Sequence, residues 1–240
     1  MILEINSLTV KYGKFIAVND LSMSVRRGTV TAVLGANGSG KTSLMNTIAG
    51  LCVPFSGSIA FEGEDVTGMS ADKLSERGIS LVPQGGRCFD RMSVLDNLMV
   101  GSYGKNARSR TNKSLEKVYE LFPALYEKRK SPAGSLSGGQ RQMTAIGRAL
   151  MSCPRLMLFD ELSLGLAPIV IKDIYAAIKQ IGREDGTAII IAEQDTGRAM
   201  QMSDYTYIML KGSIAFEGNS DELPEDAVKK AYFGAWRGDD

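Results

Sequence analysis

The stretch Gly35-Ala36-Asn37-Gly38-Ser39-Gly40-Lys41-Thr42 limits what this chain can be more than any other, because it fits G-x-x-x-x-G-K-[ST]. The apolar run at 29–34 before it is predicted to be a buried strand and residues 42–49 after it a helix. That order of strand, loop and helix gives the motif its meaning. Glycines allow backbone N–H groups to turn inward as an anion nest, and the helix N-terminus adds partial positive charge at the same point. A triphosphate fits such a nest, with Lys41 reaching the β and γ phosphates and the Thr42 hydroxyl a ligand of Mg²⁺.

The 240 residues suffice for one large α/β domain, or a core domain with a small insertion, and an apolar content of 44% is ample for a packed core. A net charge of +1 provides no basic field of the kind nucleic acid demands, so recognition has to be local. Cys52, Cys88 and Cys153 form no C-x-x-C pair, which suits a reducing compartment and argues against a structural metal site. The first residues lack the pattern of a signal peptide, and no apolar run approaches the roughly 20 residues of a membrane span. A cytoplasmic chain is expected.

Residues 2–10 alternate as a half-buried strand, and 11–14 turn into a second strand over 15–25. At that turn Tyr12 can stack on a base or pack at a strand end. Short strands follow at 58–61 and 80–82, with 62–65 a loop, and Gln84 stands beyond the end of the second, either at a ligand or in a solvated loop. From 85 to 150 the pattern becomes helical: Ser93 and Asp96 form a capping box, Leu115, Val118, Tyr119 and Phe122 share a face, and 101–110 is an exposed loop. Arg87, Phe89 and Arg91 at its entrance either cover the core or face a partner. Ser137 caps a helix that runs through Gly138, Gly139 and Gln140 to Leu150.

The apolar run at 156–159 ends in Asp160 and Glu161. Carboxylates at the end of a buried strand are costly unless paired or bound to a cation. Asp160 therefore suits Mg²⁺, and Glu161 suits a base for an attacking water. Pro168 starts a helix whose face is Ile171, Ile174, Tyr175 and Ile178. A strand at 187–192 ends at Glu193-Gln194-Asp195, a hairpin turns at Lys211-Gly212, and a terminal helix is expected over 220–232.

The set as a whole resembles the nucleotide-binding subunit of ABC transporters: the phosphate loop, Gln84, Leu136-Ser137-Gly138-Gly139-Gln140 and Asp160-Glu161 stand in that family's order and spacing. Within the family, Ala145 to Ser152, Ser163-Leu164-Gly165-Leu166-Ala167-Pro168 and Glu193-Gln194 are similar to the ATP-binding proteins of branched-chain amino acid importers. The resemblance implies an α/β P-loop NTPase core (1–84 and 153–240) with a β-rich N-terminal part and an inserted helical subdomain (85–152).

It also implies an ATP hydrolase that powers solute import, with ATP contacts at Tyr12 (stacked on adenine), Gly35, Asn37, Gly38, Ser39, Gly40, Lys41, Thr42, Ser43 and Gln84. Ser137, Gly138, Gly139 and Gln140 would act on the ATP of a facing subunit. Mg²⁺ would be held by Thr42, Gln84 and Asp160, with Asp160 directly or through water. Catalysis would fall to Glu161, Gln194 and Lys41. Implied partners are a second ABC ATPase, identical or not, integral membrane permeases and, indirectly, a periplasmic solute-binding protein, with the chain peripheral on the inner membrane face. An assembly or scaffold ATPase without a permease is the alternative from another class, and a nucleotide kinase would give the signature no role. In three places the chain departs from common patterns of the family. Leu162 replaces the usual proline, Gln84 stands where this subfamily often has Glu, and, with no histidine anywhere, Gln194 occupies the switch position.

Overall fold

The computed structural model describes residues 1–223. Two sheets organise them. The smaller pairs β1 (Leu3–Tyr12) with β2 (Phe15–Val25) on one side and with β4 (Ser56–Phe61) on the other, and β5 (Glu64–Asp65) closes it in the antiparallel order β2-β1-β4-β5. Its alternating sequence buries Leu3, Ile5, Leu8 and Val10 on one side of β1 and leaves the other toward solvent.

The larger sheet contains β3 (Val30–Leu34), β6 (Ile79–Val82), β7 (Leu156–Asp160), β8 (Ala188–Glu193), β9 (Tyr205–Leu210) and β10 (Ser213–Asn219), ordered β10-β9-β3-β8-β7-β6. All neighbours in it are parallel except the β9-β10 hairpin. Every residue of β3, β7 and β8 is buried, which is why these segments read as continuous apolar runs rather than alternating ones. Leu156, Leu158, Ile190 and Ala192 face a core shared with the smaller sheet and with Leu44, Met45 and Ile48 of α1 (Lys41–Ile48). Met157, Phe159, Ile189 and Ile191 face a second core beneath α7 (Gly138–Leu150) and α8 (Pro168–Asp185).

Between β6 and β7 the chain is helical: α3 (Val94–Gly101), α4 (Lys105–Arg108), α5 (Thr111–Leu121), α6 (Pro123–Glu127) and then α7. Ser93 and Asp96 form the expected capping box. Within the segment read as an exposed loop, α4 buries Ala107. Arg87, Phe89 and Arg91 are exposed, and the Arg148 guanidinium lies over the Phe89 ring. The short helices α2 (Ala71–Glu76) and α9 (Thr196–Met202) were not foreseen, and β5 replaces part of the loop expected at 62–65. The expected terminal helix lies, from residue 224 on, outside the described residues.

Helices α3 and α7 meet through glycines. A Cβ on Gly147 would lie 2.7 Å from Leu98 Cδ2 and 2.8 Å from Val118 Cγ1, and one on Gly101 would strike the Arg148 carbonyl oxygen and stand 2.9 Å from Met151 Cβ. A carbonyl cannot swing aside as a side chain can. Gly101→Ala is therefore expected to destabilise the fold by about 1–3 kcal/mol through overpacking, measured as a lower urea midpoint. An unchanged midpoint would mean that the two helices can separate at no cost.

Candidate active site

Parallel pairing brings four strand ends into line: Val82 of β6 lies across from Phe159, Asp160 of β7 from Ala192, and Glu193 of β8 from Leu34 of β3. Gln84, Glu161, Gln194 and the phosphate loop follow these ends, so residues far apart in sequence arrive at one edge of the sheet. They surround a cavity of about 430 Å³ lined by Phe15, Ala17, Asn37, Gly38, Gly40, Lys41, Thr42, Ser43, Gln84, Glu161, Leu164 and Gln194.

The loop has the shape of an anion cradle. Gly40 has φ +105°, and a Cβ there would collide with the Ala17 carbonyl oxygen, whereas Gly38 at φ +79° faces open space. Among the described residues no side chain caps the start of α1, so its first N–H groups keep their capacity for an anion. The buried Ser39 hydroxyl has no hydrogen-bond partner among the described residues. Lys41, only 3% exposed, donates to the carbonyls of Gly35 (2.7 Å) and Ala36 (3.1 Å), and its Nζ is 4.0 Å from Glu161 Oε1. Burial pulls the Lys41 ammonium below its ordinary pKa, against the opposing charges of Glu161, Asp160 and Glu193. A triphosphate fits this set of groups.

Glu161 follows directly on β7. Its N–H donates to the Ala192 carbonyl (2.9 Å) and its φ is +48°, a left-handed backbone that non-glycine residues seldom adopt. Gln84 Nε2 donates to one carboxylate oxygen and Gln194 Nε2 to the other, both at 2.8 Å, and Gln194 also donates to Asn37 Oδ1. Two amides from different strand ends thus fix the direction of the carboxylate. Next to it the Asp160 carboxylate, 5% exposed, accepts from the Thr42 hydroxyl at 3.2 Å. Burial raises its pKa and the neighbouring Glu161 charge adds to this, while the Thr42 hydrogen bond opposes it. Carboxylate, hydroxyl and the nearby Gln84 amide oxygen are hard oxygen donors, the chemistry that Mg²⁺ takes.

Tyr12 does not line the cavity. It stands at the end of β1, 49% exposed, with its hydroxyl beside Ser43 and Cys52, whereas Phe15, its partner across the hairpin, does line it. Irregular register at Leu8, Val10 and Lys11 breaks the alternation from which the outlook of Tyr12 would be read. The buried backbone at Gly35 and Ser39 supports the loop from behind, since a Cβ on Gly35 would stand 2.7 Å from the Met209 carbonyl. Ser137, Gly138, Gly139 and Gln140 are not among the lining residues. They form the start of α7, where the Ser137 hydroxyl accepts from the Gln140 N–H (3.3 Å) and the Gln140 side chain accepts from the Ser137 N–H (3.2 Å). Leu166 lies over Gly138, and Val170 over Gly139.

Sequence reasoning missed Phe15, Ala17 and Leu164 as lining residues, and it gave Glu193 no task. Glu193 is 2% exposed and accepts from the Ser163 N–H (3.0 Å), the Ser163 hydroxyl (2.9 Å) and the Tyr175 hydroxyl (3.1 Å). An acid closing an otherwise apolar strand was the available signal. The turn after Glu161, where Leu162 replaces the usual proline, is held by this contact and by the burial of Leu162.

A family model described as "ABC transporter" matches residues 18–163. The chain is 39% identical to the high-affinity branched-chain amino acid transport ATP-binding protein BraG of Pseudomonas aeruginosa, over 97% of this chain and 99% of that protein. A probable branched-chain amino acid transport ATP-binding protein LivF of Archaeoglobus fulgidus is 30% identical over 91% and 92% of the two chains. Among solved structures, the ADP conformation of MJ1267, an ATP-binding cassette of an ABC transporter, superposes with a TM-score of 0.80 at 30% identity, covering 95% of this chain and 93% of the other.

The capping box at the start of α7 gives a direct test of local energetics. Ser137→Ala should lower stability by about 1 kcal/mol, read from the urea midpoint. No change would mean that the glycines after it are held by α8 alone.

Proposed function

We propose that this chain, which belongs to the ABC transporter family of ATP-binding subunits, uses the strand-end cavity to hydrolyse ATP and so powers import of a branched-chain or related amino acid through separate membrane permeases. ATP hydrolysis is the activity of the family. The assignment of its residues rests chiefly on one observation: Glu161 is held at the mouth of the phosphate loop by the Gln84 and Gln194 amides. The solute class rests on the relatives named as branched-chain amino acid transport ATP-binding proteins. Those names favour transport over an assembly or scaffold role.

In this reading the N–H groups from Gly38 to Ser43 receive the phosphates, Phe15 covers the base, and Lys41 exchanges the Gly35 and Ala36 carbonyls for phosphate oxygens. Thr42, Asp160 and Gln84 would hold Mg²⁺, which when bound neutralises phosphate charge and polarises the terminal phosphoryl group. Glu161 takes a proton from the attacking water as the bond between the terminal phosphorus and its bridging oxygen breaks, releasing ADP and phosphate. Gln194 orients the water and senses the terminal phosphate without taking a proton, since an amide both donates and accepts.

Two chains would face each other, each placing the start of its α7 against the ATP of the other, where free N–H groups and the helix dipole favour phosphate charge. We take residues 85–152 as the helical subdomain that makes this approach. No helix among the described residues is long and apolar enough to cross a membrane, and contact with the permeases places the chain at the inner membrane face.

Lys41→Ala should abolish ATP binding or turnover, because the loop loses its mobile cation. Glu161→Gln should retain ATP while slowing hydrolysis by about 10²–10⁴-fold, and with ATP and Mg²⁺ it should elute as a trapped dimer from size exclusion. Hydrolysis at the wild-type rate in either variant would overturn the site assignment. A separate test concerns the facing chain. Ser137→Arg should leave ATP binding by the isolated subunit near wild type and stop turnover, whereas parallel loss of both would make Ser137 only a helix cap.

A further inference from the structure

Glu193 is an ionisable group buried where, among the described residues, no ammonium or guanidinium bonds to it: the three hydrogen bonds given above come from Ser163, twice, and from Tyr175 of α8, and the Gln194 backbone N–H adds a further neutral contact. Burial holds the carboxyl above the usual carboxylate range, against the opposing effect of these donors. A neutral or apolar residue would avoid that desolvation, so packing gives no reason for an acid here.

The neighbours of Glu193 supply one. The residue before it, Ala192, offers the carbonyl that accepts the Glu161 N–H, and the residue after it, Gln194, donates its amide to the Glu161 carboxylate. Glu193 itself captures Ser163, two residues beyond Glu161. The three residues 192–194 at the end of β8 therefore hold the backbone of Glu161, its side chain and the turn that follows it. The turn needs holding, because Glu161 is in the left-handed region at φ +48°. Beyond Ser163 the chain forms the tight loop closed by the Leu166 N–H on the Ser163 carbonyl (3.3 Å), in which Leu164 lines the cavity and Leu166 lies over Gly138.

We propose that Glu193 is a positioning residue for hydrolysis: by taking both the N–H and the hydroxyl of Ser163, and the phenol of Tyr175, it fixes the turn after Glu161 and hence the aim of the Glu161 carboxylate. This deepens the site reading above and rests on Glu161 being the base. Glu193 touches no substrate. The Gln replacement keeps the size of the side chain but removes the charge that strengthens all three contacts, and it turns the oxygen that accepts from the Ser163 hydroxyl into an N–H₂ donor, so that bond has to reverse.

The test compares kcat, ATP affinity and thermal midpoint in the full-length chain with Mg-ATP. Glu193→Gln should lower kcat about 10-fold or more while the ATP dissociation constant stays within about twofold, because the phosphate loop is untouched. Ser163→Ala should lower kcat in the wild-type background by about threefold or more, and add less than about twofold once Glu193 is Gln, since both changes cut the same link. Tyr175→Phe, which removes only the phenol donor, should have the smallest effect. Should Glu193→Gln fail to fold, Ser163→Ala and Tyr175→Phe still report on the link, because each deletes a single donor.

The proposal is overturned if Glu193→Gln, or Ser163→Ala where that variant has to stand in, turns over at the wild-type rate. It is equally overturned if kcat, affinity and thermal midpoint fall together, or if the Glu193 and Ser163 effects simply multiply. Glu161→Gln separates this from the underlying reading. An active Glu161→Gln removes the base assignment itself, whereas an inactive Glu161→Gln beside an unimpaired Glu193→Gln removes only the role of Glu193.

Discussion

The in-register parallel pairing of β6, β7, β8 and β3 is the constraint on which everything else in this molecule depends. Because these strands run the same way and pair Val82 with Phe159, Asp160 with Ala192 and Glu193 with Leu34, their polar continuations meet at one edge. A slip of one residue would turn each side chain to the opposite face and exchange the two cores. The register is well determined, because Leu156 and Leu158 fill one core while Met157 and Phe159 fill the other. Packing and function are thus decided by the same alternation.

At that edge the chain concentrates charge where water is scarce. Lys41, Asp160 and Glu193 are all buried, and Glu161 is nearly so. Most of the compensation comes from neutral donors: amides on Glu161, a hydroxyl on Asp160, and two hydroxyls and an N–H on Glu193. Neutral donors orient a carboxylate without cancelling its charge, which suits groups that have to meet a cation or a proton. Lys41 rests on two backbone carbonyls, partners that it can exchange for phosphate oxygens more readily than it could a close carboxylate.

Much of this was legible in the residues. The phosphate loop, the buried strands, the caps at Ser93 and Ser137, Pro168 at the start of α8 and the Lys211-Gly212 hairpin all follow from local chemistry, and the structure has each of them. What was missed has physical causes. Helices α2 and α9 span 6 and 7 residues, too few for a helical period to show. Phe15 lines the cavity beside its hairpin partner Tyr12, and nothing in its local pattern marks it for that place. Glu193 was visible as an acid on an apolar strand, but its partners Ser163 and Tyr175 lie 30 and 18 residues away and only the fold unites them.

The central claim is that the strand-end cavity receives ATP by exchange of the contacts Lys41 makes within its own loop. A crystal structure of the chain with a non-hydrolysable ATP analogue and Mg²⁺ tests this most directly. The account predicts the triphosphate against the N–H groups from Gly38 to Ser43, Lys41 Nζ moved from the Gly35 and Ala36 carbonyls onto phosphate oxygens, and the base against Phe15. A nucleotide bound with Lys41 still on those carbonyls, or bound away from the loop, would contradict it.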